Sequence, residues 1–359
     1  MSHELQFSSL NCGLWVLPLG GTIVAAYIPM NISPIRGLLC SLATPFSLFL
    51  LAVAPLTAQV GGGSETLFQW AGETSSHLGR SVAGGGDVNN DGVPDIIVGS
   101  PYSHFGGIHY TGTVFVFSGV DGMPLHQFHG SAYLDRLGAL VANAGDVNGD
   151  GFDDVITGAP QASTGGLSSA GMVIVFSGAT GSILFQWNGS NQWDLFGASV
   201  SGLGDINGDG FDDVLVGAPE INVSGLTDAG SVYVFSGFDG SIIYQINGAD
   251  ARAYFGQCVS DAGDLNADGF NDFAFSGAVI GSYGSYQHKS VYVHSGFDGS
   301  LLSRFDGSST YDWFGNSIDS AGDVNADGTD DLIIGAPQTM VNGVYRVGST
   351  FVYSGADES

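Results

Sequence analysis

A single nine-residue pattern, D-x-N-x-D-G-x-x-D, recurs every 59 residues through most of this chain without an insertion. It reads DVNNDGVPD from Asp87, DVNGDGFDD from Asp146, DINGDGFDD from Asp205, DLNADGFND from Asp264 and DVNADGTDD from Asp323. A fixed period of this length implies one structural unit repeated, each unit burying its apolar face against the next. It argues against two unrelated domains.

Carboxylates and an amide at alternating positions around an obligatory glycine are what a hard cation requires, since calcium takes six to eight oxygens on a tightly curled backbone. The predicted ligands are Asp87, Asn89, Asp91, Val93 and Asp95; Asp146, Asn148, Asp150, Phe152 and Asp154; Asp205, Asn207, Asp209, Phe211 and Asp213; Asp264, Asn266, Asp268, Phe270 and Asp272; and Asp323, Asn325, Asp327, Thr329 and Asp331. Val93, Phe152, Phe211, Phe270 and Thr329 enter through their carbonyls. Up to five Ca2+ are expected. An EF-hand begins the same way but needs a Glu at its twelfth position and flanking helices. Here the twelfth positions are Val98, Thr157, Val216, Phe275 and Ile334, inside β-rich segments. The loops therefore join strands. The competing reading, polar turns rich in Asp, Asn and Gly, explains one copy more readily than five in register.

Each unit holds four short β segments. In the third they span residues 197–203, 213–217, 231–236 and 241–246, bounded by Gly, Ser, Asp or Pro. The third segment recurs as TVFVFSG, MVIVFSG, SVYVFSG, SVYVHSG and STFVYSG, apolar on both faces. Such a strand has to be covered on both sides. Four-stranded sheets packed face to face around an axis satisfy that demand, which predicts an all-β propeller of five blades. The fifth unit has no fourth segment of its own, whereas residues 65–72, ETLFQWAG, are similar to ILFQWNG from Ile183. Residues 66–71 are accordingly expected to supply the last blade's fourth strand and close the ring.

The units resemble FG-GAP repeats of the integrin α-subunit N-terminal propeller. The Phe-Gly element stands at Phe196-Gly197, Phe255-Gly256 and Phe314-Gly315, relaxed to Leu78-Gly79 and Leu137-Gly138. Gly-Ala-Pro begins at Gly158, Gly217 and Gly335, with Gly99-Ser100-Pro101 in the first unit and Ser276-Gly277-Ala278 in the fourth. The resemblance covers residues 65–359. It implies calcium loops between the first and second strands of each blade and a role in adhesion or ligand binding outside the cell, although integrin propellers have seven blades with fewer calcium loops.

A formal charge of −28, from 35 Asp+Glu against 7 Lys+Arg, excludes nucleic acid and anionic membrane surfaces as partners, because both require cationic side chains to displace counterions. Residues 1–58 read as a targeting region with a functional start at Met30: Arg36 gives the positive end, residues 38–54 the apolar core, and Leu56-Thr57-Ala58 a cleavage site before Gln59. Residues 59–64 are a linker and 65–359 the propeller. An alternative keeps residues 13–30 as a membrane anchor, the one route to membrane contact. Secretion or cell-surface display follows. Cys258 is then the one cysteine of the mature chain, so no internal disulfide forms.

Loops on the face opposite the acidic tips vary between units and carry Tyr110, Tyr133, Trp193, Tyr254 and Trp313, with Tyr102, Phe105 and His109 nearby. Exposed, they suit stacking on sugars or gripping a protein loop; buried, they wedge adjacent blades. Tyr283, Tyr286, His288, Tyr345 and Arg346 are further candidates. The second members of the Asp153-Asp154, Asp212-Asp213 and Asp330-Asp331 pairs are assigned to calcium and the first members to solvent. No catalytic constellation can be picked out by spacing. The leading expectation is a calcium-binding module for an extracellular protein or glycan, the alternatives being a carbohydrate-active enzyme or a structural matrix protein.

Overall fold

The computed structural model describes residues 66–280, 286–309, 311–344 and 346–356, together with two short strands nearer the amino terminus. Those two, β1 (Trp15–Leu19) and β2 (Thr22–Ala26), pair antiparallel within a separate unit. The targeting region and its proposed cleavage site otherwise lie outside the described residues. Among those residues no helix is long and apolar enough to cross a membrane.

The second unit is all-β and built from five sheets, each a run of consecutive antiparallel strands. Blade 1 comprises β3 (Ser81–Gly84), β4 (Ile96–Ser100), β5 (Thr113–Phe117) and β6 (Pro124–His129). Blade 2 comprises β7 (Leu140–Gly145), β8 (Asp154–Ala159), β9 (Met172–Phe176) and β10 (Ile183–Asn188). Blade 3 comprises β11 (Ser199–Gly204), β12 (Asp213–Ala218), β13 (Ser231–Phe235) and β14 (Ile242–Asn247). Blade 4 comprises β15 (Val259–Gly263), β16 (Asp272–Ile280), β17 (Tyr286–His294) and β18 (Leu301–Asp306). Blade 5 holds β19 (Ser317–Gly322), β20 (Asp331–Ala336) and β21 (Ser349–Ser354). The five-bladed propeller read from the sequence stands.

The second and third strands are apolar on both faces because each face meets a neighbouring blade. In β8, Val155 packs toward Ile97, Val114 and Val116 of blade 1, while Ile156 belongs to the core shared with Val214, Val216 and Phe235 of blade 3. The alternation continues through Leu215 toward blade 4 and Ala274 toward blade 5. Burying one such side chain fully stabilises by about 1.5–3 kcal/mol, so the sheets are held chiefly by their faces.

The closing strand is not formed. Residues 66–71 adopt no strand, and the last sheet contains three strands. Val82 on blade 1 is 64% exposed, against 7% for Val141, Val259 and Ile318 at the same step of later blades. Val324 of blade 5 is 63% exposed, where Val147 and Ile206 are fully buried. The outer faces of the first and fifth blades therefore do not cover each other. The segment nevertheless takes the side-chain position of a fourth strand: Trp70 stacks on Phe117 at 4.3 Å and donates from Nε1 to the Gly122 carbonyl at 3.0 Å. Trp187 of β10 does the same to Phe235 at 4.4 Å and Gly240 at 3.0 Å. The local motif encodes which blade the aromatics cover. The main-chain partner depends instead on where two distant ends of the repeat array come to lie.

Candidate functional site

Each acidic loop crosses from the first to the second strand of its blade. In the second loop the Asp146 carboxylate accepts the N–H groups of Asp150 at 3.0 Å and Gly151 at 2.8 Å. Asn148 Oδ1 also accepts from Asp150 N, at 3.0 Å, and Asp150 Oδ1 accepts from Phe152 N at 3.1 Å. This curl needs a left-handed residue at the sixth position, supplied by Gly151 with φ 86°. Gly92, Gly210, Gly269 and Gly328 repeat it.

The ninth aspartate is buried in every copy. Asp154 accepts the N–H of Val147 at 3.0 Å and of Gly178 at 2.9 Å, fastening the loop to the turn after the third strand. Asp95, Asp213, Asp272 and Asp331 make the equivalent pairs with Val88 and Gly119, Ile206 and Gly237, Leu265 and Gly296, and Val324 and Gly355. Burial pushes the Asp154, Asp213 and Asp272 carboxyls up to about 7, opposed by these N–H donors and reinforced by the fifth and first aspartates of the same loop. The predicted ligand position and the structural bolt coincide in one residue.

The donor set fits a hard cation, on two observations. The ninth carboxylate is desolvated beside two others, a repulsion that a bound cation offsets. In the first loop, Asn89 Oδ1 is buried with no hydrogen-bond partner. As the side chains stand, the oxygens face the loops' own N–H groups, and no group of three or more Asp, Glu, His or Cys is poised to hold an ion among the described residues.

The paired acids correct one expectation. Asp153, Asp212 and Asp330 do not simply face solvent. Their Oδ2 atoms accept the N–H groups of Asp87 at 2.7 Å, Asp146 at 2.8 Å and Asp264 at 3.0 Å, each across a blade boundary. In return Asp153, Asp212 and Asp330 donate their own N–H to the carbonyls of those residues. Neighbouring acidic loops are thus tied main chain to main chain.

On the other face, the first three blade connections are hydrogen-bonded to the preceding loop between second and third strands. Arg136 N–H donates to the Tyr110 carbonyl and Leu137 N–H to Thr111; Leu195 and Phe196 repeat this with Ser169 and Ala170, and Tyr254 and Phe255 with Asp228 and Ala229. The buried aspartates Asp135 and Asp194 cap these connections by accepting the Ala132 and Asn191 N–H groups.

The interblade wedges are Leu137, Phe196, Phe255 and Phe314, all buried, and the aromatics before them point outward. Tyr110, Tyr133, Trp193 and Trp313 are exposed, whereas Tyr254 is half-buried. The fold brings Tyr110 and Tyr133 together at 6.4 Å and continues the cluster to Tyr102, 6.1 Å from Tyr110, and to His104, 5.1 Å from it. Trp193, Tyr254 and Trp313 join no such cluster among the described residues. Phe105 stacks on His129 at 3.5 Å, and His109 lies 4.7 Å from His104. Tyr283 and Tyr345, and the side chains of Tyr286 and His288, lie outside the described residues.

Sequence reasoning missed Arg80 and Arg136, which line a cleft of about 330 Å³ with Tyr102 and Gln161. The available signal was their scarcity, since the whole chain has 7 Lys+Arg. Cys258 is a free thiol pushed up to about 11 by burial.

The FG-GAP repeat family matches residues 78–117, 138–176, 196–235 and 314–353. The fourth unit, where Gly-Ala-Pro is replaced by Ser276-Gly277-Ala278, falls outside these matches; there β16 and β17 are each nine residues long. Integrin alpha-V of Gallus gallus is 34% identical over 219 residues, covering 56% of this chain and 20% of that protein. Integrin alpha-5 of Xenopus laevis is 33% identical over 174 residues, covering 44% and 16%. The chain thus spans a fifth or less of the length of these relatives. Among solved structures, the Dos1 propeller superposes with a TM-score of 0.41 at 14% identity, over 74% of this chain and 53% of that one. With its Phe-Gly and Gly-Ala-Pro elements set in successive sheets of three or four strands, the chain carries four FG-GAP repeats and is similar over part of its length to the integrin α subunits.

Proposed function

We propose that this chain is a secreted calcium-binding propeller that binds an extracellular protein or glycan through the face opposite its acidic loops. The observation that carries the reading is the fastening of the variable loops of blades 1 to 3 to the blade connections that follow them, which holds Tyr110 and Tyr133 exposed on a rigid frame. Exposed aromatics on fixed loops give contact area at little cost in side-chain entropy. The similarity to integrin α subunits supports adhesion as the biological setting, and residues 1–58 serve export in this reading.

Calcium would be held by the first, third, fifth and ninth side chains of each loop, with the seventh carbonyl. It would neutralise the acidic tips, each ion offsetting two of the 28 net negative charges. The blade-to-blade ties through Asp153, Asp212 and Asp330 would pass that stabilisation from one blade to the next.

The test is a screen of purified protein against glycan and matrix-protein arrays, with and without a chelator. Saturable binding that falls in the paired variant Tyr110→Ala, Tyr133→Ala is expected. Release of product from a bound polysaccharide, or binding indifferent to both tyrosines, would overturn the reading.

A further inference from the structure

In this acidic chain the described arginines are not all placed alike. Arg304 is spent on Asp306, with bonds of 2.6 and 2.9 Å. Arg80 and Arg136 instead meet at one cleft whose remaining lining is Pro101, Tyr102, Ala139, Leu140, Pro160, Gln161 and Ala198, with no carboxylate among them. Neither arginine has an ion-pair partner among the described residues. The Arg136 guanidinium lies over the Tyr102 ring at 4.8 Å, and its Nε is buried without a hydrogen-bond acceptor.

The repeat does not require either arginine. Arg80 occupies the step held by Ala139, Ala198, Gln257 and Asn316 in later blades. Arg136 occupies the step held by Leu195, Tyr254 and Trp313, and all four residues have the same left-handed backbone, φ 50° to 57°. The frame accepts unrelated side chains at both positions, so a cationic cleft is particular to the first two blades.

We propose that this cleft binds the carboxylate of an acidic sugar, such as a uronic acid, with the sugar ring stacked along Tyr110 and Tyr133. The inference rests on the ligand-face reading above and names its ligand class. A planar guanidinium recognises a carboxylate through paired N–H donors, and the buried Arg136 Nε gains the acceptor it lacks. A volume of about 330 Å³ sits at the small end of ligand cavities, which suits one ring rather than a chain. The net charge of −28 repels an extended polyanion but penalises a single carboxylate far less. Tyr102 links the two parts of the site, stacking under Arg136 and lying 6.1 Å from Tyr110.

Titration calorimetry of the whole chain in calcium tests this with three probes: a glucuronate-terminated oligosaccharide, its glucose-terminated counterpart and a short acidic peptide. The glucuronate probe is expected to bind about tenfold or more tighter than the neutral one, the range of a charge-assisted hydrogen bond. Arg136→Gln and Arg80→Gln should each remove that preference, Arg136→Lys should restore part of it, and Asp121→Ala, in the exposed turn between β5 and β6, should leave it unchanged. Arg80 is exposed, so its variant remains informative if the Arg136 change lowers stability. Equal binding of acidic and neutral sugar, or a preference insensitive to both arginines, overturns the inference while leaving the ligand-face reading intact. Tighter binding of the peptide than of the glucuronate probe overturns the sugar assignment. Failure of all three probes on a protein that still binds an array ligand through Tyr110 and Tyr133 overturns the inference alone.

Discussion

The carboxylate of Asp153 accepts the main-chain N–H of Asp87 at 2.7 Å, joining the acidic loops of blades 1 and 2 across 66 residues of sequence. Asp212 with Asp146 and Asp330 with Asp264 repeat the bond. In the fourth loop Asn271 stands at this step, and its Nδ2 donates to Asp261 instead.

Asp153→Ala should lower unfolding free energy by about 1–2 kcal/mol, the cost of leaving a partly buried N–H without its charged acceptor. Asp153→Asn keeps an oxygen and should cost less. Urea denaturation of both, beside Asp121→Ala in an exposed turn as control, reads the difference; equal midpoints for Asp153→Ala and the control would remove the tie from the account.

Chelation should lower the melting temperature, because an ion that binds only the folded chain stabilises it by about 2.7 kcal/mol per site at a hundredfold excess over its dissociation constant. Asn89→Ala separates the ion from the loop. Asn89 Oδ1 has no protein partner, so this variant should melt like the parent without calcium, yet show a smaller calcium-dependent rise. An unchanged calcium response would strike Asn89 from the ligands.

Trp70→Ala should cost about 2 kcal/mol, less than the 3–5 of a fully buried tryptophan because the side chain is half-buried. Trp187→Ala should cost a similar amount, given the same stacking and the same 3.0 Å bond to a glycine carbonyl. A neutral Trp70 variant beside a damaging Trp187 one would show that residues 66–71 do not pack as a fourth strand does.

Asp261 gives a pH signature. Burial pushes its carboxyl up to about 6, helped by Asp330 and Asp319 and opposed by the Gly263 N–H. The folded form therefore holds this proton more tightly than the unfolded chain, whose ordinary value is 3.8. Its favourable contribution is complete below that value and is lost as pH rises through about 6. Measured in saturating calcium, the stability of the parent relative to Asp261→Asn should decline between about pH 4 and pH 7. A flat difference would contradict the assignment.

The acidic loops, the strand order and the blade count were legible because each depends on residues close in sequence: an acidic spacing, a turn glycine, a strand apolar on both faces. The wedges themselves were not: they are Leu137, Phe196, Phe255 and Phe314, beside the Tyr and Trp residues whose burial the sequence left open. Trp70 was recognisable as a fourth-strand aromatic from the ETLFQWAG pattern, and the fold places it on Phe117 accordingly.

What lay beyond the sequence were relations between units. The bonds of Asp153, Asp212 and Asp330 across blade boundaries, the exposed end faces at Val82 and Val324, and the meeting of Arg80 with Arg136 all join groups from different repeats or different loops. A repeated motif determines each blade and the face it offers its neighbour, because those are set by local spacing and side-chain alternation. Only the packed assembly decides which loops converge and which faces stay uncovered, because those depend on the rotation accumulated from one blade to the next.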